Sequence, residues 1–380
     1  MLLFLGGDSC FWRTPLNTHW IVFITTFLLC FGLTPLFRKI ALKSQFLDNP
    51  AGQLKKHTAP VPYLGGLAIY FSFLMGTLGA LILAPPPESA RVLALLTGGT
   101  VMALMGLADD LFSLSPAVKF LFQILAAGLL VLFGVQLEFL PSHPVLGVVS
   151  TILWVVAVTN AVNLIDIMDG LSGGVTVIAC LGFVLVPFLG EQSYVHLTAA
   201  ALGGAVLGFL PYNYQPARIY MGDSGALFLG FILAGIAMGH GYTQMNVVAL
   251  CAPLFILGVP LYDMALVMML RTMKRRSMFR GSNDHLALRL RSLSLSVKQT
   301  VHSLWALSIL LALSAGLLVR LSEKRALVFI LVFFCVALLF TVFISSVQVD
   351  EGRKKIRESP FKVILQEDRD LKRSRRKTKR

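Results

Sequence analysis

Two amides and two carboxylates close an otherwise apolar stretch, at Asn160, Asn163, Asp166 and Asp169. An ionisable side chain costs about 2.5 to 3.5 kcal/mol at the centre of a membrane helix, so such a cluster indicates a function. Asn163, Asp166 and Asp169 fall within an arc of about 120° on a helix and can converge on one ligand, whereas Asn160 lies opposite. A site that used all four would need the segment to unwind, which Gly170 would permit. The residues equally allow amides that cap a helix and carboxylates that lie in solvent.

Asp109 and Asp110 end another apolar run. Adjacent carboxylates on a helix point about 100° apart and repel each other, and a divalent cation or a cationic substrate would relieve that repulsion. Two solvated acids at a helix end are the alternative. The next run opens at Ser115-Pro116 and brings Lys119 near, which favours a functional site.

A loop rich in proline and glycine, 208–225, contains Asn213, Tyr220 and Asp223. Asp223 can cap the helix that begins there, and the flanking glycines allow a phosphate to approach the backbone at its N-terminus. Mg²⁺ is held by one or two carboxylates together with phosphate oxygens, so Asp223 is a candidate metal ligand. A plain helix cap would explain Asp223 but not the glycines and aromatic residues around it.

Two basic loops complete the set of candidates. The first contains Lys55, Lys56 and His57, and the second contains His285 and Arg289. The last two residues are four apart, lie on one helical face and can hold a phosphate together. The alternatives are a loop that sets membrane orientation or contacts anionic lipid, and a structural histidine.

The composition places these residues in a membrane protein. Hydrophobic residues make up 56% of the 380, charged residues only 14%, and the mean hydropathy is +0.77. A soluble domain carries about 25% charged residues, so a soluble protein is excluded. The net charge of +14 would suit a nucleic-acid partner, but its distribution indicates membrane topology and no nucleic acid. The five scattered cysteines predict neither a disulfide framework nor a zinc site.

Apolar runs of spanning length recur along nearly the whole chain. They lie near 17–37, 63–84, 91–108, 117–137, 145–162, 172–190, 194–211, 224–241, 247–270, 300–320 and 325–347. We therefore expect an all-α polytopic membrane protein with about eleven transmembrane helices. Residues 1–347 form one integral membrane domain, and 348–380 form a basic tail that we expect to be disordered or to lie on anionic headgroups.

The distribution of basic residues predicts the orientation of these spans. With the N-terminus outside, 28 of the 33 Lys and Arg residues fall in cytoplasmic segments or the C-terminal tail. All the candidate residues then lie at cytoplasmic helix ends or in cytoplasmic loops. The sequence thus places the site on one face of the membrane.

Taken together, these pieces resemble the polyprenyl-phosphate N-acetylhexosamine-1-phosphate transferases. The resemblance covers about 48–290 and rests on four motifs in order, each of which would be weak alone. They are Asp48-x-Pro50…Lys56-His57…Pro62-x-x-Gly65-Gly66, Asp109-Asp110, Asn160-x-x-Asn163-x-x-Asp166-x-x-Asp169-Gly170, and Asn213-x-x-Pro216-Ala217…Met221-Gly222-Asp223-x-Gly225. With eleven spans and its N-terminus outside, the chain resembles the branch of this family that uses simple UDP-N-acetylhexosamines.

The resemblance implies an enzyme of the bacterial inner membrane that works at the cytoplasmic face. Polyprenyl phosphate would attack the β-phosphorus of a UDP-sugar and release UMP, with Mg²⁺, or alternatively Mn²⁺, as cofactor. It assigns catalytic or metal-binding roles to Asp109, Asp110, Asp166, Asp223 and His285. Substrate-binding roles fall to Lys55, Lys56, His57, Lys119, Asn163, Asp169, Asn213, Tyr220 and Arg289. A homodimer is left open.

One motif departs from the family pattern. Members usually carry His-x-His-His in the last large cytoplasmic loop, whereas this chain retains only His285 and has Ala287 and Leu288 in place of the other histidines. We expect Arg289 to take over part of their role at the diphosphate.

Three alternatives remain. A cation-coupled transporter would also use acids and amides at broken helices, but paired repeats and mid-span acids are not found. A CDP-alcohol phosphotransferase would share Asp169-Gly170 but needs later paired aspartates that are missing. The altered histidine motif also allows a catalytically inactive relative.

Overall fold

The computed structural model describes residues 16–48, 60–137, 143–185, 193–239, 247–277, 283–347 and 349. Lys55, Lys56 and His57 lie outside the described residues. So does the basic tail, apart from residue 349.

The described chain is almost entirely helical. The helices are α1 (Leu16–Lys43), α2 (Gly65–Leu83), α3 (Ser89–Phe112), α4 (Pro116–Leu132), α5 (Pro144–Ile165), α6 (Leu171–Leu185), α7 (Ser193–Asn213), α8 (Gly222–Ala237), α9 (Ala252–Ile256), α10 (Gly258–Met273), α11 (Leu286–Ser292), α12 (Val297–Arg320) and α13 (Glu323–Ser346). A 3₁₀ turn, Val247–Cys251, precedes α9. Two short antiparallel strands, β1 (Leu47–Asp48) and β2 (Val61–Pro62), pair before α2.

Each of the eleven predicted apolar runs contains helical structure. In the described ranges, seven helices are long and apolar enough to cross a membrane, namely α1, α2, α3, α5, α7, α12 and α13. Three further apolar helices, α4, α6 and α8, have 17, 15 and 16 residues. The prediction of an all-α membrane protein is therefore confirmed.

The ninth predicted run is not one continuous helix. Helix α9 ends at Ile256, and α10 begins at Gly258, with Leu257 between them. Pro260 has no N–H to donate to the carbonyl of Ile256, so the helical hydrogen-bond ladder is interrupted at this point. The sequence analysis treated this run as a single span, and its prolines are the signal for the break.

Helix α8 forms the centre of the bundle. Every residue of α8 from Ser224 to Ala237 is buried, as expected of a helix that is apolar on all sides. It packs most extensively against α3 and α5. A Cβ at Gly106 in α3 would collide with the backbone of Asp223 and Ser224, so glycine allows α3 to approach the first turn of α8. The C-terminal end of α3 is thereby held against the N-terminus of α8.

Helix α13 lies at the periphery. Only 6% of its most apolar window is buried, and Phe334, Leu339 and Phe343 are among its exposed side chains. An exposed apolar surface of this extent would be unstable in water but is compatible with lipid. The periphery and the buried core together describe a protein whose outer surface faces a bilayer.

The segment 60–66 connects the two-stranded sheet to α8. The amide of Tyr220 donates to the carbonyl of Pro62 at 2.9 Å. In return, the amides of Gly65 and Gly66 donate to the backbone carbonyls of Tyr220 and Met221, at 2.9 Å each. These bonds place Tyr63 beside the first turn of α8.

Candidate active site

A cleft of about 340 Å³ opens where α3 ends and where α4 and α8 begin. Its lining consists of Tyr63, Asp109, Asp110, Ser113, Leu114, Lys119 and Asp223. The structure therefore brings together four of the residues that the sequence marked as candidates, from three different helices. Polar groups near the ends of apolar helices meet here because their helices pack side by side around α8.

The Lys119 ammonium lies between two carboxylates. Its Nζ is 3.0 Å from Oδ2 of Asp223 and also forms an ion pair with Oδ2 of Asp109. The other carboxylate oxygen of Asp109 accepts a hydrogen bond from the amide of Leu114 at 2.7 Å. Side-chain exposure is 24% for Lys119 and 32% for Asp223 but only 7% for Asp109, so Asp109 forms the inner wall of the site.

Asp110 binds the N-terminus of α8. Its two carboxylate oxygens accept hydrogen bonds from the amides of Asp223 at 2.9 Å and Ser224 at 3.1 Å. Gly222 has a φ of +69°, and a Cβ there would meet Oδ2 of Asp110 at 2.6 Å, so glycine permits both the turn and the close approach. The sequence analysis expected a phosphate at these amides, and the structure places the Asp110 carboxylate there instead.

The segment between α5 and α6 unwinds, so Asn163, Asp166 and Asp169 do not share the helical face that their spacing predicted. Helix α5 ends at Ile165, Gly170 has a φ of +76°, and α6 begins at Leu171. Asp169 accepts a hydrogen bond from the amide of Ala217 at 2.9 Å. Asp169 therefore ties this segment to the loop before α8.

Asn213 connects the same two segments. Its Oδ1 accepts from the amide of Gly170, and its Nδ2 donates to the carbonyl of Ile219, both at 3.0 Å. The side chain is buried, with 3% exposure. These contacts hold the loop before α8 in place, and the substrate-binding role expected from the sequence stays a prediction.

Asp166 and Asn163 lie where α5 ends. The amide of Asp166 donates to the carbonyl of Asn163 at 3.3 Å, and both side chains are half-buried. Burial, followed by the charges of Asp223, Asp169 and Asp110, raises the pKa of Asp166 to about 7. A carboxyl group with this pKa can exchange a proton near neutral pH.

Tyr63 is a cleft residue that the sequence analysis missed. Its ring centroid is 6.0 Å from that of Tyr220, for which a substrate-binding role was expected. Tyr63 lies in the lining of the described cleft, and Tyr220 lies beside it but outside that lining. The signal was present in Pro60-x-Pro62, because this segment pairs with the loop before α8 and carries Tyr63 with it.

His285 is bound by an acid that the sequence analysis did not single out. Oδ2 of Asp263 lies 2.8 Å from Nδ1 of His285, and Oδ1 of the same residue accepts from the amide of Leu286 at 2.6 Å. Asp263 is 2% exposed within α10, and a buried acid in an apolar run was the available signal. His285 is not among the residues that line the described cleft.

Arg289 is enclosed by acceptors of its own chain. Its Nη1 donates to the carbonyls of Ile344, Ser345 and Val347 at 3.0, 3.2 and 2.8 Å. Its Nε and Nη2 donate to the carbonyl and the carboxylate of Asp284, both at 3.2 Å. The guanidinium therefore holds the end of α13. These contacts do not support the expected binding of Arg289 to a diphosphate.

This chain is similar to known proteins. A model of glycosyl transferase family 4 matches residues 92–240. The chain is also 31% identical, over 303 residues, to a probable undecaprenyl-phosphate N-acetylglucosaminyl 1-phosphate transferase of Bacillus subtilis, with 78% of this chain and 83% of that protein covered. The chain belongs to glycosyl transferase family 4.

The names of two further relatives contain different sugars. A decaprenyl-phosphate N-acetylglucosaminephosphotransferase of Mycobacterium tuberculosis is 32% identical over 325 residues, which cover 76% of this chain and 79% of that protein. A phospho-N-acetylmuramoyl-pentapeptide-transferase of Clostridium beijerinckii is 31% identical over 240 residues, which cover 57% and 72%. The resemblance inferred from the motifs is confirmed.

The family match includes most of the cleft. Residues 92–240 contain Asp109, Asp110, Lys119 and Asp223, and they run from α3 to just beyond α8. The Asp263 and His285 pair lies outside that range. The part of the chain that defines family 4 is therefore also the part that builds the cleft around α8.

The cleft offers two carboxylates to one cation. In the ranges that the structure describes, no group of three or more His, Cys, Asp or Glu side chains is arranged to hold a metal ion. Asp109 and Asp223 nevertheless share a single cationic nitrogen, that of Lys119. Two carboxylates completed by phosphate oxygens are a donor set that suits Mg²⁺, so the residues fit this ion.

Proposed function

We propose that the protein transfers an N-acetylhexosamine 1-phosphate from a UDP-sugar to polyprenyl phosphate and releases UMP. The observation that carries this proposal is the cleft itself, in which Asp109, Lys119 and Asp223 meet at a helix end of a membrane protein of family 4. Two anionic substrates can react only if their charges are balanced and their phosphates are brought together.

The relatives favour this reaction over other chemistry of the family. The three relatives described above are named as sugar-phosphate transferases, and two of those names include undecaprenyl or decaprenyl phosphate. The two N-acetylglucosamine enzymes share a larger part of this chain than the N-acetylmuramoyl-pentapeptide enzyme does. This difference supports a simple UDP-N-acetylhexosamine as the donor.

Each cleft residue has a part in the reaction. A phosphate oxygen of the lipid forms a bond to the β-phosphorus of the donor, and the bond to UMP breaks. Asp109 and Asp223 would hold Mg²⁺, which neutralises phosphate charge when it is bound. Lys119 provides a further positive charge, and Asp110 positions Asp223 because it binds the first amides of α8. Asp166 takes up the proton that an incoming lipid phosphate loses.

The membrane placement follows from the charge count. We infer eleven spans with the N-terminus outside and the C-terminus in the cytoplasm, in a bacterial inner membrane. The end of α3 and the starts of α4 and α8 line the cleft, and these are ends that the distribution of Lys and Arg assigns to the cytoplasm. A UDP-sugar from the cytoplasm would then reach the cleft directly.

The test uses full-length protein in detergent with polyprenyl phosphate and Mg²⁺. UDP-N-acetylglucosamine and UDP-N-acetylgalactosamine, each labelled in the sugar, are supplied in parallel, with UDP-glucose as the control. We expect the label to pass into butanol-extractable lipid, with one UMP released for each sugar transferred. Release of UDP instead of UMP, or label in lipid from UDP-glucose alone, would contradict the proposal.

A further inference from the structure

We propose that Lys119 is a resident counter-ion which a divalent cation displaces, and that the released ammonium then binds a substrate phosphate. This inference rests on the proposed function for its last step, but its first step concerns only the chain and a metal ion. It adds a change of partner by Lys119 to the charge-balancing role proposed above.

The first argument is the geometry of the ion pairs. Asp109 and Asp223 come from different helices, yet each presents its Oδ2 atom to the same ammonium nitrogen. Two carboxylates this close repel each other unless a cation lies between them. In the described structure Lys119 supplies that cation, so a metal ion held by the same two oxygen atoms would compete with its ammonium.

The second argument is that some carboxylate oxygens in the cleft bind the backbone and others bind only Lys119. Oδ1 of Asp109 is already bound to the amide of Leu114, and both oxygens of Asp110 are bound to the start of α8. The Oδ2 atoms of Asp109 and Asp223 bind Lys119 instead of the backbone. An incoming cation can therefore take these two oxygens without breaking the hydrogen bonds that Asp109 and Asp110 accept from the backbone.

The third argument is the position of Lys119 in its helix. Helix α4 begins at Pro116, so Lys119 lies in the first turn, where the helix dipole disfavours a positive charge and favours an anion. The two carboxylates offset this unfavourable position. Once a metal ion binds them, the same turn becomes suitable for a phosphate, which the flexible lysine side chain can follow.

The prediction is tested with Mn²⁺ as the probe and no substrate present. Free Mn²⁺ is measured by electron paramagnetic resonance in titrations of the full-length wild type, of Lys119→Met and of Lys43→Met. Lys43 is exposed at the end of α1, so its substitution removes the same charge away from the cleft. We expect Lys119→Met to bind Mn²⁺ at least ~10-fold more tightly than wild type, because a competing charge a few ångströms away is gone, and Lys43→Met to match wild type.

A second measurement on the wild type does not depend on the folding of a variant. Amine acetylation is followed by peptide mass spectrometry during the Mn²⁺ titration. Labelling of Lys119 should rise several-fold as the metal site fills, with the same midpoint as metal binding, while labelling of Lys43 stays constant.

Three results would overturn the inference: equal or weaker Mn²⁺ binding by folded Lys119→Met, constant labelling of Lys119 across the titration, or no Mn²⁺ binding by the wild type. The outcome is separate from that of the transfer assay. If Mn²⁺ displaces Lys119 but no UDP-sugar is consumed, the displacement stands and the proposed function fails. If transfer occurs and Lys119 does not respond to metal, the proposed function stands and the displacement of Lys119 fails.

Discussion

The Lys119 ammonium in the cleft contacts two carboxylates, whereas the Arg289 guanidinium is enclosed by four backbone carbonyls and one carboxylate. The side chain of Lys119 is 24% exposed and that of Arg289 only 4%. Both residues lie near acids in the sequence. The difference shows that a charged side chain can lie partly exposed in the cleft or be committed to the fold, and that the identity of its acceptors decides which.

Asp110 and Asp263 extend the comparison to acids. Each uses both carboxylate oxygens, and each binds the backbone at the start of a helix. Asp110 does so in the cleft lining, while Asp263 does so next to His285 and away from the described lining. Four predictions sharpen this contrast, taken from the largest expected effect to the smallest.

Asp223→Asn should reduce transfer at least ~100-fold, because the cleft loses one of the two carboxylates that would hold Mg²⁺ against the reacting phosphates. The backbone amide of Asp223, which Asp110 binds, is unchanged, so the variant should melt within a few degrees of wild type. Activity is measured as labelled lipid, and the control is Glu323→Gln on the exposed start of α13. A rate near that of wild type would remove Asp223 from the reaction.

Asp110→Ala should lower the free energy of unfolding by about 1–3 kcal/mol, because two amides at the start of α8 lose their acceptor. Asp110→Asn keeps one acceptor oxygen and should recover part of that loss. Denaturant or thermal unfolding of the two variants gives the comparison. An Ala variant as stable as wild type but inactive would show that Asp110 acts only in the chemistry.

Arg289→Lys should destabilise the protein by about 1–2 kcal/mol, because one ammonium cannot replace all the bonds that three nitrogens make to the end of α13 and to Asp284. The affinity for UMP should stay within twofold of wild type. Thermal unfolding and a UMP titration measure the two effects. Weaker UMP binding at unchanged stability would restore the diphosphate role that the sequence suggested.

Asp166→Asn should raise the melting temperature by roughly 3 °C at pH 8 without metal and should have little effect at pH 4. The folded protein holds the pKa of Asp166 at about 7, above its unfolded value of about 4, so this group makes folding less favourable as the pH rises between those values. Melting curves from pH 4 to pH 8 test this, and added Mg²⁺ should reduce the difference. A variant that is destabilised at pH 8 would contradict it.

Much of the architecture was predictable. The length and spacing of the apolar runs predicted a helix-rich membrane protein, since the bilayer requires about 20 apolar residues for each span. Gly170 predicted the point of unwinding between α5 and α6, whereas the helical face predicted for Asn163, Asp166 and Asp169 does not form because α5 ends at Ile165. These features depend on local periodicity and on the burial of charge, which the order of residues alone determines.

The partners of the polar groups were not predictable in the same way. Asp110 binds the amides of Asp223 and Ser224, which lie 113 and 114 residues further along the chain, because glycines allow α3 to approach α8 closely. Arg289 reaches Val347, 58 residues away, only because α11 lies beside the end of α13. The sequence by itself determined the class of protein, the helices and the residues able to do chemistry. The tertiary structure decided which of those residues face the cleft, because hydrogen bonds between distant helix ends depend on how the helices pack and not on the residues near each group in the chain.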